Sequence, residues 1–194
     1  PILRHYAEIV DATIELNEPH PVASYFVQKS WMTLAGQSEL AQRFTTAWFG
    51  LLAVALIYRL GRRLALGEST SLGAMALMAV SPYLIWHAQD ARMYSMSLAL
   101  TLASTWLAIE WQLRAGHRRR WRWAIAYVAI SLLALHTHYF AAFVLIAQYL
   151  YFVGLALWYR RWRMLVVWLL LQGTVCVLYL PWLIRAAQTL TGSG

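Results

Sequence analysis

The sequence of 194 residues is dominated by apolar side chains. Hydrophobic residues make up 61% and charged residues 12%, against about 45–50% and about 25% in ordinary soluble domains. The mean hydropathy is +0.51. This composition argues against a water-soluble enzyme, a disordered chain and a fibrous repeat, and it indicates a protein whose solvent is lipid. The single cysteine, Cys176, excludes a disulfide framework within the chain and a cysteine-based zinc site.

The positive charge is concentrated in three places. The net charge is +8 and the pI is about 10.0, values that in a soluble protein would suggest a nucleic-acid partner. Here 11 of the 16 Lys and Arg residues lie in the segments 59–63, 114–122 and 160–163, each between long apolar runs. Cationic loops between spans are typical of the cytoplasmic side of a membrane protein. We therefore predict a multi-pass protein of the cell membrane, without a nucleic-acid partner, whose Arg-rich loops are cytoplasmic.

The segment before the first long apolar run predicts a helix that does not cross the bilayer. Ala23, Val27, Trp31 and Leu34 share one helical stripe, and Gly36 ends the pattern. The stretch is too polar to span and is typical of a helix lying along the outer leaflet. We expect residues 1–40 to form an extracytoplasmic loop containing this interfacial helix, and residues 41–194 to form one transmembrane domain.

Apolar runs of about the length of a bilayer crossing recur through the rest of the chain. They predict an all-α, polytopic bundle of about six spans. Ser38 is the expected cap of the first of these helices, Ser69 and Thr70 are expected to cap the second, and Pro82 and Pro181 should bend or end theirs. Several Trp residues at the predicted ends suit the headgroup layer. The predicted spans are 43–58, 71–86, 93–113, 121–135, 140–158 and 164–184.

If the Arg-rich loops are cytoplasmic, the opposite face holds most of the side chains capable of chemistry. Alternation of the spans assigns to it six of the eight acidic residues and five of the six histidines. We therefore expect the site to be extracytoplasmic. Glu110, near the other end, is expected to reach the headgroups or to pair with Arg114 at i, i+4.

Three short motifs on the predicted outer face contain candidate site residues. EPHP at 18–21 is either a rigid turn or a corner that presents Glu18 and His20 to a divalent metal or a phosphate. HAQDARMY at 87–94 is either a solvated loop with an Asp90–Arg92 surface pair or a site in which Arg92 clamps a phosphate. In HTHY at 136–139 the two histidines point apart, so one is expected to face the site and the other to pack.

These motifs together resemble the polytopic glycosyltransferases of family 39 and their bacterial relatives, which include the protein O-mannosyltransferases and share the GT-C fold. The resemblance extends from about residue 18 to the end of the fifth span. Its motifs, in order, are HP at 20–21, Trp31 to Gly36, SE at 38–39 with Arg43, GRR at 61–63, SP at 81–82, QDARMY at 89–94 and THYF at 137–140.

The resemblance implies transfer of a sugar from a polyprenyl-phosphate carrier to a hydroxyl of a lipid, glycan or protein acceptor outside the membrane. It implies that the substrate is bound by His20, Asp90, Arg92, Tyr94 and His138, and that cations or a metal stabilise the leaving phosphate. The candidate ligands for a divalent metal are the Glu18 and His20 of the EPHP corner.

The resemblance assigns the catalytic base to a position upstream of Pro1. In the family the general base is an Asp that follows a first span, further from the HP turn than the 19 residues that precede His20 here. No catalytic residue is therefore assigned within this sequence. We expect the chain to be an N-terminally truncated fragment that is inactive alone.

Two other classes of protein fit some of the same features. A transporter or flippase-like protein also gathers polar residues at one membrane face, but it would place charges near the middle of the bilayer, where these spans have essentially none. A non-catalytic membrane scaffold would need none of the candidate site residues. The glycosyltransferase is the leading hypothesis.

Overall fold

The computed structural model describes residues 8–10 and 21–191, and in this part of the chain every regular element is an α-helix. The all-α prediction is confirmed. After a helical turn at residues 8–10, eight helices follow in chain order. They are α1 (Ala23–Ala35), α2 (Glu39–Arg63), α3 (Glu68–Ala79), α4 (Pro82–Gln89), α5 (Tyr94–Leu113), α6 (Arg120–Leu135), α7 (Ala141–Trp158) and α8 (Trp162–Thr191).

Fewer helices than predicted are long and apolar enough to cross a membrane by themselves. Among the described residues α2, α7 and α8 meet that requirement, and α3 with α4 meets it only as a pair bent by 54°. The predicted span at 71–86 therefore corresponds to a broken pair of helices, with the bend next to Pro82 as expected. The 16 residues of α6 cover about 24 Å, short of the roughly 30 Å of a hydrocarbon core.

The helix α5 lies at the centre of the bundle, packed against α2 on one side and α6 on the other. Ten of its residues are buried, among them Ser104, Thr101 and Glu110. A helix enclosed by other helices does not need an apolar surface all round, which explains why α5 is less apolar than a lipid-facing span. Two core clusters form where α5 meets α6, α7 and α8, one around Leu100 and Leu145 and one around Trp111 and Trp168.

A chain of hydrogen bonds between neutral side chains joins four helices inside the bundle. The amide of Gln148 in α7 donates to the hydroxyls of Ser104 and Thr105 in α5, at 2.9 and 2.8 Å. Its carbonyl oxygen accepts from the Tyr127 hydroxyl of α6 at 2.9 Å, and Gln172 of α8 donates to that hydroxyl at 2.9 Å. These bonds satisfy polar groups between the packed helices, and so fix the register of the four helices.

The helix α1 lies across one end of the bundle. At its start, the N–H of Ala23 donates to the carbonyl of His136 at 2.9 Å. Near its end, the Trp31 ring stacks on Phe44 at 4.8 Å and its Nε1 donates to the Ala41 carbonyl at 2.9 Å. The helix thus connects the start of α2 to the connection after α6, as a non-spanning segment should.

The inward face of α1 differs from the predicted apolar stripe. Gln28 is buried, whereas Leu34 at the end of the helix is 84% exposed. Gly36 ends the helix as predicted, with a φ of 85° that favours glycine. Ser38 caps α2 as predicted, its hydroxyl accepting from the Ala41 N–H at 3.2 Å.

The other expected helix ends have different outcomes: the start of α3 is placed differently, Pro82 lies at a helix boundary as expected, and Pro181 does not end its helix. The helix α3 begins at Glu68, before Ser69 and Thr70, and its N-cap is Gly67 without a side-chain bond. Pro82 occupies the first turn of α4, where its missing N–H costs nothing. Pro181 neither ends nor interrupts α8, which continues to Thr191, because one lost backbone bond is tolerated in a packed membrane helix.

The tryptophans at the helix ends divide into two groups. Trp86, Trp121, Trp158 and Trp162 are between 57% and 84% exposed, as rings facing the headgroup layer should be. Trp111 is 1% exposed and packs against Trp168 with ring centroids 5.5 Å apart, so it belongs to the core.

Candidate functional site

The turn between α4 and α5 positions three of the predicted substrate-binding residues. The N–H of Asp90 caps α4 by donating to the Trp86 carbonyl at 3.0 Å, and the N–H of Arg92 donates to the Asp90 carbonyl at 2.7 Å. Tyr94 then begins α5. This tight turn makes the side chains of Asp90, Arg92 and Tyr94 diverge from one short segment, so each faces a different neighbour.

Arg92 lies at a cleft between α1 and α2 that has a mixed polar and apolar lining. The cleft has a volume of about 180 Å³ and is lined partly by Gln28, Thr45 and Thr46. The guanidinium carbon of Arg92 lies 5.6 Å from the centre of the Tyr94 ring, a cation–π contact. In the described part of the chain neither Asp90 nor Arg92 belongs to an ion pair, so the surface pair considered as an alternative does not form.

Tyr94 and His138 share a second cleft, on the other side of α5. Their ring centroids are 5.6 Å apart, and both line a cavity of about 250 Å³ together with Tyr83 and Phe140. The Nδ1 of His138 accepts from the N–H of Phe140 at 3.1 Å. An imidazole that accepts at Nδ1 has its proton at Nε2 when neutral, so the contact orients the ring and sets its tautomer.

His87 belongs to this second cleft but was not among the predicted substrate-binding residues. It is 6% exposed, its ring lies 4.6 Å from Tyr94 and 4.3 Å from Tyr83, and no described group bonds to its buried Nδ1. Ser95 donates to its carbonyl at 2.9 Å. The sequence signal is the i, i+4 spacing of Tyr83 and His87, which places both rings on one face of α4.

Asp90 is half-buried and lines a third, more open cavity of about 460 Å³. Glu39, Gln42 and Arg43 of α2 line the same cavity, and Arg43 is paired with Glu39 at 2.6 Å. The four described candidates therefore surround one turn but face three cavities. Only Tyr94 and His138 are brought into one cleft, and Arg92 adjoins it through the Tyr94 ring.

His136 and His138 point apart as predicted, and His136 packs. Its ring meets Tyr179 and Trp182 edge-on, with centroids 5.0 and 5.8 Å away. Burial lowers the pKa of His136, because the charged form is poorly solvated there. The residue therefore connects α1, α6 and α8 and is not a member of the cleft.

The predicted metal ligands Glu18 and His20 lie outside the described residues. Within the described ranges no group of three or more His, Cys, Asp and Glu side chains is arranged to hold a metal ion. The metal role of Glu18 and His20, and the substrate role of His20, stay predictions. Pro1, upstream of which the general base is expected, also lies outside the described residues, and the position of that base stays a prediction too.

Apolar helices long enough to span a bilayer define a multi-pass membrane protein, and cavities partly lined by polar side chains gather at one end of its bundle. The chain belongs to the dolichyl-phosphate-mannose-protein mannosyltransferase family, whose family model matches residues 7–192. It is a membrane glycosyltransferase of the mannosyltransferase type. Comparison with curated proteins and with solved structures gave no match.

Proposed function

We propose that this protein transfers a sugar from a polyprenyl-phosphate carrier to an acceptor hydroxyl at the extracytoplasmic face of the cell membrane. The observation that carries the proposal is the placement of Arg92 in a cleft at the end of the bundle away from the arginine-rich connections, within a chain of the mannosyltransferase family. Asp90, Tyr94 and His138 surround the same turn.

Arg92 has the properties of an anchor for the donor phosphate. Its planar fork can donate to two phosphate oxygens at once, it is exposed, and it belongs to no described ion pair. The Tyr94 ring supports the guanidinium from the side. A carrier phosphate would therefore meet a positioned cation rather than one already neutralised.

An apolar groove beside the turn suits the prenyl chain of such a donor. It has a volume of about 360 Å³ and lies between α2, the bent pair α3–α4 and α5, with Leu51, Met78 and Leu98 among its walls. At one end it reaches Gln89 and Ser95, which flank the turn that positions Arg92. A lipid phosphate could thus lie near Arg92 with its chain in a hydrocarbon-like channel.

In the proposed reaction the acceptor oxygen forms a bond to the anomeric carbon while the bond from that carbon to the phosphate oxygen breaks. The acceptor proton passes to a carboxylate base, and the lipid phosphate leaves with the bonding pair. Arg92 would stabilise the charge that develops on the leaving phosphate. Asp90, Tyr94 and His138, which line the neighbouring cavities, would contact the sugar or the acceptor, and a lipid, a glycan or a protein could supply the acceptor.

The experiment is transfer of label from a radiolabelled polyprenyl-phosphate mannose by membranes containing the complete protein. Arg92→Ala should lower transfer about 10- to 100-fold, the cost of one or two charge-assisted hydrogen bonds. Arg92→Lys should recover only part, since an ammonium cannot form the paired bonds.

The matched control is Arg185→Ala, because Arg185 is an exposed arginine near the same end of the bundle, on α8. It should transfer label at the wild-type rate. If Arg92→Ala does the same at equal protein level and thermal stability, Arg92 does not bind the donor and the proposed site is wrong.

A further inference from the structure

The end of the bundle opposite Arg92 has a large surplus of positive charge, which we call the arginine face. Three regions supply it: the last turns of α2, the connection between α5 and α6 with the helix ends beside it, and the connection between α7 and α8 with the start of α8. Its eleven arginines are Arg59, Arg62, Arg63, Arg114, Arg118, Arg119, Arg120, Arg122, Arg160, Arg161 and Arg163.

The acidic residues described at this end already form ion pairs with arginines of the face. Glu110 is 1% exposed and is paired with Arg63 and, at 2.9 Å, with Arg114. Glu68 lies 4.0 Å from Arg62. None of the described ion pairs includes Arg118 or Arg119, and both are exposed. Most of the charge of the arginine face is therefore available to an external anion.

Tryptophan rings hold several of these guanidinium groups in place. Arg120 lies 3.8 Å above the Trp111 ring, and its Nε donates to the Trp111 carbonyl at 3.0 Å. Arg114 lies 4.5 Å from the Trp123 ring, which packs edge-on against Trp106. Stacked guanidiniums lose less conformational freedom on binding, and their edges can still donate to phosphate oxygens.

We propose that the arginine face binds the headgroups of anionic phospholipids. The helix ends beside these connections hold Trp121, Trp158 and Trp162, which are 57%, 84% and 61% exposed and whose rings prefer the headgroup layer. The arginines continue directly from the apolar helices α2, α7 and α8, so in a bilayer they lie at the depth of lipid phosphates. Clustered arginines next to membrane helices attract anionic lipid.

The test uses the purified protein in detergent with equal amounts of phosphatidylglycerol and phosphatidylcholine, and counts the retained lipids of each kind by native mass spectrometry. Phosphatidylglycerol should be retained at least about threefold over phosphatidylcholine, and the preference should fall at high ionic strength. The triple variant Arg118→Gln/Arg119→Gln/Arg122→Gln should bring the ratio close to one. Arg160→Gln/Arg161→Gln/Arg163→Gln, in a second connection, should lower it as well.

The control removes the same number of charges from the other end, as Lys29→Gln/Arg43→Gln/Arg185→Gln, and should keep the preference. Equal retention of the two lipids by the wild type overturns the proposal. A preference that the loop variants keep, or that the control loses equally, also overturns it. Binding of a soluble polyanion such as heparin without a preference for phosphatidylglycerol would assign the face to a soluble partner instead. None of these measurements depends on sugar transfer, so they test lipid binding separately from the proposed function.

Discussion

At the scale of single residues, His136 is the point where three helices meet. Its carbonyl accepts from the first N–H of α1, and its ring packs against Tyr179 and Trp182 of α8. Because burial lowers its pKa, the folded protein holds the imidazole in its neutral form more strongly than the unfolded chain does.

This pKa gives a pH dependence with a definite sign. Above the ordinary histidine pKa of about 6.5 both states are neutral and the stability is fully present. As the pH falls below about 6.5 the unfolded chain takes up a proton that the folded protein resists, so stability is lost. His136→Gln should remove this part of the loss.

The measurement is the thermal unfolding midpoint between about pH 7.5 and pH 5.5, followed by tryptophan fluorescence in detergent. The wild type should lose more stability over this range than His136→Gln does. His117→Gln, which changes an exposed histidine in the connection after α5, should behave like the wild type. Parallel curves for wild type and His136→Gln would show that His136 keeps an ordinary pKa.

The sequence predicted side-chain contacts correctly where the two residues are close together in the chain. The pairing of Glu110 with Arg114 follows from the i, i+4 spacing of a helix and is confirmed. The second partner, Arg63, comes from α2, 47 residues away, and no local pattern predicts it. For the same reason the sequence grouped Asp90 with Arg92, although the turn directs them to different cavities.

At the scale of elements, α2 and α3 pack so closely that one contact has no room for a side chain. A Cβ added at Gly61 would lie 2.7 Å from the Ser71 hydroxyl and 3.1 Å from the Ser71 Cβ. Ser71 is buried, and its hydroxyl donates to the Gly67 carbonyl at 2.7 Å. The glycine therefore permits the approach of the two helices at the beginning of α3.

Gly61→Ala should lower the free energy of unfolding by about 1–3 kcal/mol, since overpacking must displace Ser71 or separate the helices. Gly73→Ala is the matched control, because a Cβ there meets nothing within 4 Å. It should leave stability unchanged or raise it by up to about 1 kcal/mol through better helix propensity. Equal thermal midpoints for the two variants would contradict the close contact.

The sequence predicted the elements better than their ends. Ser38 and Gly36 act as predicted because capping depends on neighbouring residues. Pro181 did not end α8, because the other backbone hydrogen bonds and the packing of the helix outweigh the one hydrogen bond that the proline cannot donate. A bend at Pro82 was expected from the sequence. Its angle of 54° was not, because it depends on how α4 packs against α2 and α5.

At the scale of the whole molecule, the bundle has one end rich in arginine and another where histidine, tyrosine and other polar side chains line cavities. Composition and periodicity predicted this division, since the charged segments alternate with the apolar runs. Fewer of the described helices than predicted are long and apolar enough to span by themselves, because α5 is enclosed by its neighbours and α6 is short. How the candidate residues divide among cavities depends on tertiary packing.

The central claim, that the cavities around Arg92 face the outside of the cell while the arginine face lies in the cytoplasm, is tested by cysteine labelling in intact cells. In a Cys176→Ser background, Gln89→Cys and Arg118→Cys report the two ends, both at exposed positions. A membrane-impermeant maleimide should label Gln89→Cys directly and Arg118→Cys only after the cells are permeabilised. The reverse pattern would contradict sugar transfer at the outer surface by this site.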